Sequence, residues 1–144
     1  MSPRVRIESP ASVMAILKQV STQSEIPVYL QIQRLVKHAV ASKTLQAGSR
    51  LPSVRELSEM LQLNPNTIAK AYRELELLGM VETYLGKGVF VSQKAISVCT
   101  RDTKAELADR LRSVAELAVL IGETSATFSS AAGAAYDKAS ANQK

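Results

Sequence analysis

Between Leu51 and Val91 the chain reads LPSVRELSEMLQLNPNTIAKAYRELELLGMVETYLGKGVFV, and this stretch constrains the fold more than any other. Val54 to Leu61 is a short amphipathic helix, interrupted at Gln62-Leu63-Asn64. Pro65 to Leu78 is a longer one, stopped by Gly79, because glycine enters the left-handed conformation cheaply. Two β-rich runs follow, Val81–Tyr84 and Val89–Val91, around the hairpin loop Leu85-Gly86-Lys87-Gly88. Helix, tight turn, helix and hairpin outline a winged helix-turn-helix, a shape that can lay one helix in the major groove of a duplex.

Local chemistry supports each boundary. Ser53-x-x-Glu56 is a capping box, in which two orphan backbone N–H groups are satisfied reciprocally. Asn64 is a good cap and Pro65 a good first helical residue, since its missing N–H costs nothing there. Ile68, Tyr72 and Leu75 recur at i, i+4 and i+7, committing one side of the second helix to the core. Asn66, Thr67, Lys70, Arg73 and Glu74 occupy the other side.

Upstream, residues 1–12 read as a loose arm. Ser12–Val20 can form two helical turns with Val13, Ile16, Leu17 and Val20 on one side. Alone that is too short to persist, so it either docks or frays. Pro27 opens a helix over Val28–Lys43, whose inner stripe is Ile32, Val36 and Ala39 with Leu35 and Val40. Leu45 to Arg50 reads as a loop.

Downstream, Lys94–Thr100 reads as a connector and Thr103-x-x-Glu106 as a second capping box. Leu107, Leu111, Val114, Ala118 and Ile121 then repeat at spacings of 4, 3, 4 and 3, a heptad seam, with Leu117, Val119 and Leu120 beside it. Gly122 stops this helix. Thr124 or Ser125 caps a last one to about Ala139, anchored by Phe128 and Tyr136. A helix apolar on more than one side needs a second covering surface, so residues 103–139 read as a helical hairpin for self-association. The expected organisation is an arm (1–24), a winged helix (25–94) and a helical dimerisation tail (95–144).

The net charge of +5 is unevenly spread. Residues 28–94 hold nine Lys/Arg against five Asp/Glu, while residues 95–144 hold six of each. The positive excess lies on the segment that would meet phosphates. Cys99 is the only cysteine, which excludes an internal disulfide and a thiolate metal cluster and fits a reducing cytoplasm. No export signal or membrane span is evident, and no cofactor is expected. His38 has no ligand partners at metal spacing. No nucleophile–base or paired-carboxylate arrangement suggests catalysis.

Sequence readout needs donors and acceptors on the first turns of the reading helix, which places Asn66, Thr67 and Lys70 at base edges and Arg73 nearer phosphate. Arg55 can reach a phosphate or a guanine, or pair with Glu59 four residues on. Ser53 and the N–H groups beside it form a phosphate seat as well as a cap. Lys87 stands at the wing tip.

These residues resemble the GntR family of bacterial transcription regulators. The resemblance covers roughly Val28–Val91. It rests on Val28-Tyr29-x-Gln31-Ile32, Ala47-Gly48-x-x-Leu51-Pro52-Ser53-x-Arg55-Glu56-Leu57, Asn64-Pro65-Asn66-Thr67, Ala71-Tyr72-x-x-Leu75-Glu76-x-x-Gly79 and Gly86-x-Gly88-x-Phe90-Val91. Asn-Pro-Asn-Thr with Ala-Tyr is similar to the branch shared by YtrA-like and MocR-like proteins. There is no room for the aminotransferase domain of the latter, and the short helical tail resembles the YtrA-like one. The resemblance implies a dimeric repressor, often of transporter operons, with DNA contacts at Arg55, Asn64, Asn66, Thr67 and the wing residues Gly86 and Lys87. The chain departs from its relatives at Pro65 and Ala69, where many carry Arg. A pocket for an unidentified small-molecule effector would be small or lie between subunits. Two other readings stand beside this one. One is a winged helix that binds protein rather than DNA; the other is a sensor switched by a metabolite or by oxidation of Cys99.

Overall fold

A computed structural model describes residues 10–142 of the chain, with side chains from residue 12 onward. Its order is α1 (Pro10–Leu17), α2 (Val28–Ala41), β1 (Arg50–Leu51), α3 (Val54–Leu61), α4 (Pro65–Leu77), β2 (Val81–Tyr84), β3 (Gly88–Val91), α5 (Ala95–Leu120) and α6 (Ser125–Ala141). The expected mostly helical winged helix-turn-helix is present, with a three-stranded antiparallel sheet in place of a bare hairpin. Two compact units divide the chain, Met1–Thr103 and Lys104–Lys144.

In the first unit α2, α3 and α4 enclose a core of Ile32, Val36, Val40, Leu57, Ile68 and Leu75, all buried. Tyr72 carries the one phenol in this core, and its Oη donates to the Pro52 carbonyl at 2.7 Å. Burial pushes that phenol well above its usual range, so it remains a donor. The bond ties α4 to the residue just before the Ser53 cap of α3. The Ser53 cap closes as the sequence implies: Glu56 N–H donates to Ser53 Oγ at 3.1 Å, and Ser53 N–H to Glu56 Oε2 at 2.7 Å. These bonds, the one from the Ser53 backbone first, hold the Glu56 carboxyl below its usual range.

α4 ends in a Schellman motif. Gly79 has φ +74, Met80 N–H donates to Leu75 O at 2.9 Å and Gly79 N–H to Glu76 O at 2.9 Å. α3 ends similarly on Gln62, a non-glycine residue at φ 54, with Leu63 N–H bonded to Ser58 O at 3.0 Å.

Two expectations change, and a reading left open is decided between them. The loop over 45–50 ends in β1, which pairs with β3 in the register Arg50↔Phe90 and Leu51↔Val89. A two-residue strand has too little period to be seen in sequence. The short apolar segment before residue 20 docks as α1: Val13 and Leu17 are 2% and 1% exposed, and α1 packs on α2 and β1. The arm expected over 1–12 lies outside the described residues as far as residue 9, and from Pro10 the backbone is helical. Second, Lys94–Thr100 is no connector. α5 begins at Ala95, and Ala95 and Cys99 are buried in the core of the first unit. Thr103 therefore lies inside a helix and caps nothing. Burial of the Ala95/Cys99 side outweighed the weak helical signal of AISVCT.

The second unit holds the rest of α5 and α6. Gly122, at φ +79, ends α5, with Glu123 N–H bonded to Ala118 O at 2.9 Å. Thr124 caps α6 in a box with Thr127. The seam residues Leu107 and Ile121 are 65% and 68% exposed in the single chain, and Leu111, Val114 and Leu117 are exposed as well. Ala118 and Phe128 are half-buried.

Candidate nucleic-acid interface

The site is built from the start of α3, the turn into α4, the outward side of α4 and the wing. At the start of α4 the Asn64 side chain accepts from Asn66 N–H at 2.8 Å. That uses the amide oxygen as a cap and leaves its NH2 to donate. Asn66 stands exposed on the first turn, with Thr67 half-buried beside it and Arg73 exposed two turns on. Their direction follows from the inner side: Ile68, Ala71, Tyr72 and Leu75 are buried, so the remaining positions of a 3.6-residue period face outward.

Arg55 extends from the first turn of α3 with its side chain 87% exposed, and its Nε lies 2.9 Å from Glu59 Oε1. The pairing foreseen four residues along the helix is thus formed, and it raises the guanidinium pKa through the hydrogen bond first and charge second. Both groups stand in water, where such a pair is screened and readily exchanged for a phosphate. Lys70 is also engaged: its Nζ lies 4.0 Å from the centroid of the Tyr29 ring on α2. Tyr29 is a member of this surface that periodicity on α4 alone could not reveal.

The wing is fastened to α4. Thr83 N–H donates to Glu76 Oε1 at 3.0 Å. Lys87 N–H closes the tip on Tyr84 O at 2.9 Å, and the Tyr84 and Phe90 rings meet edge-on at 5.8 Å. Gly86 has φ +75 in the tip turn, a conformation side chains resist. Where β3 leaves the tip turn, a Cβ on Gly88 would lie 3.1 Å from Arg50 Nε. Arg50 therefore stands against β3, a basic residue of this surface missed in the sequence because β1 was not legible there. The structure brings Ser53, Arg55, Asn64, Asn66, Thr67, Lys70 and Arg73 onto the two-helix unit, and Gly86 and Lys87 onto the hairpin docked to it.

Residues 28–91 match the family described as bacterial regulatory proteins, gntR family. The chain is 35% identical over 94 residues to the transcriptional repressor YtrA of Bacillus subtilis, covering 65% of this chain and 72% of YtrA. The chain belongs to the GntR family. Another relative, the B. subtilis helix-turn-helix regulator YhcF, is 47% identical over 73 residues, which span 51% of this chain and 60% of YhcF. A transcriptional regulator from Oenococcus oeni has a solved structure that superposes with a TM-score of 0.65 at 34% identity, over 83% of this chain and 98% of that one. This GntR-family chain is accordingly a helix-turn-helix regulator rather than an enzyme, and its relatives include YtrA.

In this GntR-family chain Cys99 is a free, buried thiol. Burial, the largest influence, pushes its thiol up to about 11, so almost no thiolate exists near neutrality. Among the described residues no helix is long and apolar enough to cross a membrane.

Proposed function

We propose that this protein is a sequence-specific DNA-binding repressor that acts as a homodimer on an inverted-repeat operator in the bacterial cytoplasm. Its partners in this reading are double-stranded DNA, a second copy of the chain and an unidentified small-molecule effector. The observation that carries the reading is the wing tied to α4 through Thr83 and Glu76. It holds Lys87 on the same body as the polar, outward side of Asn66, Thr67 and Arg73. YtrA, named a repressor, supports the sign of regulation. Control of a transporter operon follows from the family resemblance alone.

Dimerisation is assigned to Leu107, Leu111, Val114, Leu117, Ala118, Ile121 and Phe128. Five of these are large apolar side chains left exposed in the single chain, four on α5 and Ile121 in the turn just after it, a pattern that marks an uncovered contact surface. Two copies of α4 would then enter successive major grooves ~34–36 Å apart.

The test is a salt titration of duplex binding. Arg55→Ala should weaken specific binding about tenfold or more, as loss of a base or charged phosphate contact does. Lys87→Ala should weaken it mildly and flatten the salt slope by about one. Equal affinity for wild type and Arg55→Ala at every salt concentration would remove Arg55 from the interface.

A further inference from the structure

We infer that Glu59 is a positioning residue for DNA recognition: it holds Arg55 so that the guanidinium serves a guanine edge rather than the phosphate backbone. The inference rests on the DNA-binding reading and adds to it a residue that sets selectivity.

Five acidic side chains lie within residues 28–94, on the segment that would approach phosphates. Four of them hold the fold together. Glu56 accepts from Ser53 N–H in the α3 cap, and Glu76 accepts from Thr83 N–H at the wing. Glu74 accepts from Gln33 Nε2 on α2 at 2.7 Å, and Glu82 accepts from Tyr84 Oη at 2.7 Å. Glu59 is the exception. Its carboxylate takes Arg55 Nε at 2.9 Å, with the Arg55 and Glu59 side chains 87% and 65% exposed. A pair so open to water adds little to a helix. A negative charge on a helix that approaches phosphates also opposes binding. Folding does not account for Glu59, and the geometry of its pair does.

The bond through Nε orients the guanidinium plane and leaves the Nη1–Nη2 edge to donate elsewhere. That edge carries parallel N–H groups, the fork that O6 and N7 of guanine accept in the major groove. The pair as a whole is neutral. Against a phosphate it has lost most of the Coulomb attraction of a lone arginine, and exchange for the phosphate leaves the carboxylate beside a second anion. A guanine edge offers acceptors without net charge, so there the hydrogen bonds are kept and nothing is repelled. Glu59 thus weakens Arg55 as a general phosphate ligand more than as a base contact. Selectivity is the difference between those two affinities.

The test is duplex binding by the full chain and by Glu59→Gln across a salt series. The probes are a duplex that wild type selects from a randomised pool and a scrambled duplex. Glu59→Gln should bind the scrambled duplex about threefold to tenfold more tightly, with a salt slope steeper by about one, as one more available cation requires. Its affinity for the selected duplex should change by less than about twofold, so that preference at one G·C pair of each half-site shrinks from the roughly tenfold typical of a base-pair position. Thermal midpoints should agree, because the carboxylate is exposed. In an Arg55→Ala background the second substitution should leave that preference unchanged. Equal gains on both duplexes would overturn the inference, since charge alone would then explain Glu59. So would equal losses on both with a lowered thermal midpoint, which would make the pair structural. So would a loss of selectivity that persists in full when Arg55 is already alanine. A wild type that selects no sequence at all would overturn the DNA-binding reading itself.

Discussion

Gly88 shows how one residue serves both the sheet and the basic surface. Its φ of +121 lies where side chains are strained, and a Cβ would press on the Arg50 guanidinium. Gly88→Ala should therefore destabilise the fold by about 1–3 kcal/mol and displace Arg50 as well. Chemical denaturation checks the first, and an unchanged midpoint would show that β3 absorbs the alanine. Gly86 has the same sign of φ but open space around it, so strain alone acts there. The two glycines read alike in a G-x-G motif, and only their neighbours separate their roles. Arg55 is the converse case. Its partner Glu59 was visible in the i, i+4 spacing, and the geometry realises that pair without removing the arginine from solvent.

Among the elements, α1 departs most from what local pattern supports. Eight residues cannot hold a helix in water, yet Val13 and Leu17 are as buried as the residues of α2. It lies outside the matched family segment at 28–91 and still closes the core over α2 and β1. Leu17→Ala should cost about 2–5 kcal/mol, as expected for a fully buried leucine, read as a fall in the urea midpoint. A loss below about 1 kcal/mol would mean that α1 only rests on the body. α5 makes the opposite point. Its first two turns belong to the core through Ala95 and Cys99, and Lys37 Nζ on α2 lies 3.7 Å from Asp102 Oδ2.

For the whole molecule, the boundary inside α5 decides where the tail can be removed. Truncation after Thr103 keeps Ala95, Cys99 and Asp102 in place, whereas removal of everything from residue 101 also takes away Asp102. A chain ending at residue 103 should remain folded by circular dichroism, sediment as a monomer and bind duplex DNA at least about tenfold more weakly than the full chain. Such a loss follows when linked modules no longer bind together. A stable dimer of that shortened chain would move the association surface away from Leu107–Ile121. The distribution of charge belongs to this scale too. The excess of four positive charges over residues 28–94 is a property of the segment, and it acts through the summed field rather than through any one pair.

The sequence alone determined α2, α3, α4, the hairpin and their caps, because helix period, capping boxes and glycine stops are encoded within a few residues of where they act. It also marked the polar side of α4, since that side is whatever the buried stripe leaves over. The tertiary structure decided what depends on distant partners: the pairing of Arg50–Leu51 with β3, the docking of α1, the Tyr29–Lys70 contact and the early start of α5. Each joins residues far apart in the chain, or draws its stability from burial that no local window contains.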